Sequence, residues 1–231
     1  LPKISTTNKT LGKFTPDWTG GISNTFSYRS LSLSFLIDAS VGGSIFSNTN
    51  KTGKYTGVLA NTLSGRDAEH GGLWYYTDAM GNNVRLPESP SYSVSSDGLY
   101  YAQVNGQSTR VYQDGIMVEG VTESGSKNEE VVSAEKYYHR IYSIAEANVY
   151  DASYVKLREV ALSYRLPRLW TQKLHLQEAS VTLTGRNLWT IYKSVPNIDP
   201  ESALTTGNAQ GVEAYSLPTT RSFGVNLSVK F

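Results

Sequence analysis

The chain has 231 residues, enough to bury a core as one or two domains, and its 21 basic and 20 acidic residues leave a formal charge of +1. That balance offers no cationic field for nucleic acid, and the absence of cysteine removes disulfides and thiolate metal sites. Sixteen tyrosines, four tryptophans and twenty glycines, with a mean hydropathy of −0.34, suit a polar, aromatic-rich β protein. A spanning helix would need about 20 consecutive apolar residues, which the chain lacks. A transmembrane β-strand needs only ~10 alternating ones and leaves the mean hydropathy low.

The chain starts at Leu1-Pro2-Lys3, with neither an initiator methionine nor a secretion signal, and is expected to be a piece of a longer precursor. The first strand is predicted over Gly20 to Tyr28, with Ile22, Phe26 and Tyr28 on one face. Arg29 and Ser30 form a tight hairpin into a second strand, where Leu31, Leu33, Phe35, Ile37, Ala39 and Val41 alternate with Ser32, Ser34, Leu36, Asp38 and Ser40. After Gly42-Gly43 periodicity fails. Residues from about 44 to 148 read as one long loop, rich in Gly, Ser, Asn and Tyr, with a short helix within Val131 to Glu146.

Regular structure returns over Tyr154 to Leu166, with Val160, Leu162, Tyr164 and Leu166 on the apolar face. Lys156 and Arg158 fall in phase with that face, which suggests a bulge between them and Val160; both are expected just outside a hydrocarbon zone. Pro167 stops the strand and Arg168 to Lys173 is a short connection. The next strand runs from about Leu174 to Trp189, and a second long loop covers about 191 to 219. In the last segment Phe223, Val225, Leu227, Val229 and Phe231 share one face, and Gly224, Asn226, Ser228 and Lys230 the other. A closing barrel strand, greasy toward lipid and polar toward a wet lumen, has this pattern.

Short and long connections therefore alternate along about five strands, as periplasmic turns and extracellular loops do in an outer-membrane barrel. Five strands cannot close a barrel, so further strands are expected from sequence beyond this chain.

Tyr150-Asp151-Ala152-Ser153-Tyr154-Val155-Lys156-Leu157-Arg158-Glu159-Val160-Ala161-Leu162-Ser163-Tyr164 resembles a hallmark of the SusC/RagA family of TonB-dependent outer-membrane transporters. Three further blocks resemble that family in the same order: Pro16-Asp17-Trp18-Thr19-Gly20-Gly21 with the hairpin; Gly185-Arg186-Asn187-Leu188 followed by Asp199-Pro200-Glu201; and Phe223 to Phe231. Gly115 to Val121 is a looser match. The resemblance implies an all-β chain: the C-terminal antiparallel strands of a large, 22-stranded transmembrane barrel with long extracellular loops, lacking the plug domain. It also implies import of oligosaccharides or oligopeptides, a SusD-like lipoprotein over the mouth, and energy from the TonB complex acting through the missing N-terminal part. Insertion by the barrel assembly machinery and dimers of transporter–lipoprotein pairs belong to the same expectation.

Within the first long loop, Trp74, Tyr75, Tyr76, Tyr100 and Tyr101 are candidate ligand contacts, since apolar sugar faces stack on aromatic rings; the alternative is that they pack a small core of the loop itself. Tyr137, Tyr138, Tyr142, Tyr150 and Trp189 are candidates for an interfacial belt. Asp199-Pro200-Glu201 reads as a plain turn, with a calcium corner as the alternative. No catalytic site, metal site or cofactor is expected, because His70, His139 and His175 lack ligand spacing and a nucleophile motif. The rival readings are a carbohydrate-binding β-sandwich module and a passive porin or adhesin-type barrel.

Overall fold

The computed structural model describes residues 1–87, 90–173, 175–203, 207 and 210–231. Strands β1 (Trp18–Tyr28) and β2 (Leu31–Val41) form a hairpin whose two-residue loop places Arg29 at a φ of 55°. Gly42 and Gly43 end β2 in the left-handed region that glycine enters without steric cost, at φ of 77° and 79°. Strand β3 (Ser44–Ser47) and helix α1 (Asn48–Tyr55) follow. Next come β4 (Leu73–Thr77), β5 (Asn83–Arg85), β6 (Tyr92–Val94), β7 (Tyr100–Val104), β8 (Gln107–Met117), β9 (Val131–Ser133) and α2 (Ala134–Tyr142). The chain then continues through β10 (Val149–Asp151), β11 (Tyr154–Arg165), α3 (Arg168–Lys173), β12 (Glu178–Lys193), β13 (Val212–Glu213) and β14 (Ser222–Lys230). Among the described residues no helix is long and apolar enough to cross a membrane, which says nothing of strands.

Two compact units result. The wall unit comprises residues 10–49 and 149–231; the insert unit comprises 1–9 and 50–148. The wall is built on a five-stranded antiparallel sheet in the order β1-β2-β11-β12-β14, so strands joined by the sequence lie side by side. This is the meander that alternating short and long connections produce. Leu174, where the sequence places the start of β12, lies outside the described residues, as do 204–206 and 208–209 of the second long loop. Strand β12 itself begins at Glu178 and continues four residues past Trp189, because Tyr154–Lys156 give Thr190–Lys193 a partner.

The register puts one apolar row after another on a single face. Ile22 pairs with Ile37, Phe26 with Leu33, and Tyr28 with Leu31. On β11 the same face carries Leu157, Val160, Leu162 and Tyr164; on β12 Val181, Leu183 and Trp189; on β14 Phe223, Val225, Leu227 and Val229. Asn24 is the polar exception, opposite Phe35. The reverse face is Ser, Thr, Asn and charge: Ser34 beside Ala161 beside Thr184, and Ser163 hydrogen-bonded to Thr182 at 2.5 Å. The apolar face is uncovered, with Phe223 80%, Val225 73% and Leu227 63% exposed.

Aromatic rings bracket that face. Trp18, Trp189 and Tyr192 lie toward the long connections; Tyr28 and Tyr164 lie toward the short ones. From Trp18 to Tyr28 the strand advances ~33 Å at ~3.3 Å per residue, and a tilt of ~40° reduces this to ~25 Å, the height of the apolar band of an outer-membrane barrel. Trp189, a candidate for an interfacial belt, is exposed on the apolar face toward the long connections. Tyr138, Tyr142 and Tyr150 have other tasks: Tyr138 donates to the Asn61 and Ser64 carbonyls, Tyr142 packs on Tyr55, and Tyr150 packs beside Ile45, Val195 and Ile198.

The segment 44–148, read from the sequence as one long loop, holds regular structure of its own. The insert unit has its own sheet in the order β5-β4-β8-β7-β6, with β9 also on β8, and a core of Trp74, Ala102 and Val111. Five of these strands have only three to five residues, too short for periodicity to register, and aromatic rings replace aliphatic alternation as the packing material. The helix expected in this region is α2, whose N-cap Ser133 side chain accepts from the Lys136 amide.

Candidate functional site

The polar face of the wall carries a cluster of charge that begins with the irregularity in β11. Leu157 pairs with Ile37 and Glu159 with Leu36, leaving Arg158 as an extra residue. This bulge resolves the phase conflict seen in the sequence: Tyr154, Lys156 and Arg158 turn to the polar side while Val160, Leu162 and Tyr164 remain on the apolar side. Lys156, expected just outside a hydrocarbon zone, lies on the polar side and is enclosed by protein. It is 2% exposed, and its Nζ donates to Asp199 Oδ1 at 2.5 Å and Glu201 Oε2 at 2.6 Å.

Arg158 spans two elements. Its Nε and Nη2 donate to Asp38 Oδ2 on β2 at 2.9 and 2.6 Å; its Nη1 donates to Glu201 Oε2 at 2.7 Å, and Nη2 also reaches Glu201 Oε1. The Tyr154 hydroxyl donates to Glu201 Oε1 at 2.9 Å. Thr219 closes the far side, donating from its amide and hydroxyl to Asp199 Oδ2 at 3.2 and 2.6 Å. Asp199-Pro200-Glu201 is the turn the sequence suggests, with the Ser202 amide donating to the Asp199 carbonyl at 3.0 Å. Its carboxylates, however, are committed to protein cations. Burial alone would raise the Asp199 pKa, but the Lys156 and Thr219 hydrogen bonds outweigh it and hold the group at about 2. Glu201 is likewise held below its usual range against burial by Arg158 and Lys156.

A second tether in the same unit is Glu213. Its carboxylate is buried, accepting from the Ser47 hydroxyl at 2.7 Å, the Thr49 hydroxyl at 2.5 Å and the Ser216 amide at 3.1 Å. These bonds pull its pKa down despite burial. The second long loop is thus pinned near both ends, at Asp199–Glu201 and at Glu213. Sequence reasoning missed both tethers, because the lysine and its carboxylates stand 43 and 45 positions apart with no motif linking them.

Among the sequence-predicted contact residues of the insert, Trp74 (6% exposed) and Tyr75 (5%) are core. Trp74 lies between Tyr92 and Tyr100, at ring separations of 4.9 and 5.4 Å. Tyr75 stacks on Tyr112 and donates to Asp114 Oδ1 at 3.1 Å; burial, then the Asp114 charge, push its phenol pKa up. Tyr76 is half-buried against the same core, and Tyr101 is half-buried opposite Arg110. Tyr100, 38% exposed, reaches the surface at a cavity of about 540 Å³ bordered by Arg66, Glu69, Arg110, Tyr112 and Asp114. Among the described residues no three His, Asp or Glu side chains converge as a metal site.

No family model matches the chain. It is 25% identical to a TonB-dependent receptor of Formosa agariphila over 236 residues, covering 99% of this chain and 18% of that protein. Among solved structures it is similar to the RagAB peptide importer. In the closed-closed state the TM-score is 0.47 at 17% identity, over 99% of this chain and 19% of that one; in the open-open state it is 0.44 at 18% identity, over 94% and 17%. The chain therefore spans about a fifth of the length of these relatives. In sequence the chain is thus similar to a TonB-dependent receptor, and its wall is an open five-stranded antiparallel sheet with one apolar face.

Proposed function

We propose that this chain supplies the C-terminal strands of a transporter that imports oligosaccharides or oligopeptides across the bacterial outer membrane, together with a SusD-like surface lipoprotein and powered through the TonB complex. The observation that carries this reading is the apolar face of the five-stranded sheet, bracketed by aromatic rings ~33 Å apart along the strand, which a barrel tilt of ~40° would turn into a band ~25 Å tall, and backed by a polar face. Such a sheet is matched to a bilayer on one side and water on the other. The kinship with a TonB-dependent receptor supports the energised mode, and the insert unit and the pinned second loop supply recognition surface of the kind extracellular loops carry.

Two measurements on the native full-length protein test it. It is expected in the outer-membrane fraction, to need detergent for extraction, and to migrate faster on gels before boiling than after. A protein that stays monodisperse in buffer without detergent is not a barrel, and the sandwich reading then takes its place. Uptake of labelled oligosaccharide or oligopeptide by cells is expected to stop when the proton-motive force is collapsed. Uptake that continues marks a passive porin.

A further inference from the structure

In the insert unit β8 has β4 along one side and two different strands along the other. Strand β7 pairs with it as far as Tyr100 opposite Val111, and β9 takes over at Gly115 opposite Ser133. Gly115 also pairs with Leu73 of β4, so β9 lies on the β7 side of β8. Between the two, Tyr112, Gln113 and Asp114 have no strand beside them on that side among the described residues. The 540 Å³ cavity lies at this gap, within the usual size range of small-ligand sites, with Val111 as apolar floor.

Its charges divide into spent and unspent. Arg66 donates to the Gly57 carbonyl at 2.7 Å and the Thr62 hydroxyl at 3.0 Å; Asp114 accepts from Tyr75. Arg110 and Glu69 are exposed at the rim and neither is in a close ion pair among the described residues, although Arg110 stacks over Tyr112 and its charge also acts on Asp97. The aromatic rings are spent as well: Tyr112 is stacked by Tyr75 and lies under the Arg110 guanidinium 4.8 Å from its centroid, and Tyr100 packs edge-on with Trp74 and Tyr92. A sugar stacking on an open ring finds a poor platform here. A stretch of strand edge flanked by an exposed arginine and an exposed glutamate instead suits an extended, dipolar chain with its own amides.

Resting on the import reading above, we propose that this cavity is a subsite for a short peptide, whose backbone pairs with the β8 edge at Tyr112–Asp114, whose carboxylate meets Arg110 and whose ammonium meets Glu69. The test uses the native full-length protein in detergent, equilibrated with a pool of free-ended tetrapeptides of random sequence, the retained peptides being counted by mass spectrometry. Wild type is expected to retain peptides, with about ten-fold less retention by Arg110→Gln and by Glu69→Gln, as loss of a charge-assisted contact implies. Capping both termini or N-methylating the backbone of the pool should reduce retention to a similar degree, a readout that no folding defect in a variant can imitate. No retention by wild type, or equal retention by both variants and of both modified pools, overturns the peptide subsite. Retention of an oligosaccharide pool that falls with Arg110→Gln while peptides are ignored overturns it in favour of glycan. Membrane fractionation and the gel shift on boiling report separately on the barrel, so a failed subsite is distinguishable from a failed transporter.

Discussion

Lys156 illustrates what a buried cation demands. Removing an ammonium from water costs several kcal/mol, recovered only when counter-charges and hydrogen bonds are well placed, as Asp199 and Glu201 are. Lys156→Met leaves two carboxylates without that partner and is expected to destabilise the second loop's attachment by about 3–5 kcal/mol, read as faster protease cleavage within residues 194–221. Adding Asp199→Asn and Glu201→Gln to Lys156→Met should restore much of the resistance, since uncompensated charge rather than a missing contact is the penalty. If the triple variant is cleaved as fast as the single one, the cluster is not an ion-pair tether. The same group sets an acid limit. Asp199 titrates at about 2 in the fold against 3.8 unperturbed, so its contribution is fully present above pH ~4 and lost as pH falls through 2. Loop cleavage, read at each pH with a protease active there, should stay flat from neutral pH to ~5 and rise below it as Glu201 and then Asp199 protonate, the Asp199 share corresponding to roughly 2 kcal/mol. A rise centred near pH 6 would place the control elsewhere.

At the scale of strands, face decides tolerance. Leu162 points to the apolar side and its neighbour Ser163 to the polar side, where it bonds Thr182. Leu162→Arg, two residues inside the Tyr28 and Tyr164 ring row, is expected to cost about 1–2 kcal/mol and Ser163→Arg far less, measured by urea unfolding of the full-length protein from lipid vesicles. Equal costs would mean the two faces see the same medium. The wall strands were legible in the sequence for the reason this experiment exploits: each face meets a different solvent, so a period of two is imposed along the whole strand, and even the Arg158 bulge is announced by a phase conflict between Lys156 and Val160. The insert was not legible, because strands of three to five residues around a Trp–Tyr core have no room for periodicity. Trp74 and Tyr75 were conspicuous as aromatic residues, yet composition cannot tell a ring that packs a core from one that offers a face. The Lys156 tether depends on residues more than forty positions away, a distance at which sequence order carries no geometric information.

At the scale of the molecule, the open edges set the remaining requirement. Strands β1 and β14 terminate the five-stranded sheet, and their outward edges have no partner among the described residues. In water such edges are hydrated. In hydrocarbon each unpaired amide or carbonyl costs several kcal/mol, so strands of 11 and 9 residues could not stay unpaired there. If the apolar face meets lipid, both edges must be continued by neighbouring strands in the full-length barrel. Hydrogen exchange on the full-length protein in membranes decides this: amides along β1 and β14 should be protected to the same degree as those of β11, which has neighbours on both sides. Fast exchange confined to alternate amides of β1 or β14 would show an edge facing water, and would break the link between the greasy face and a closed barrel.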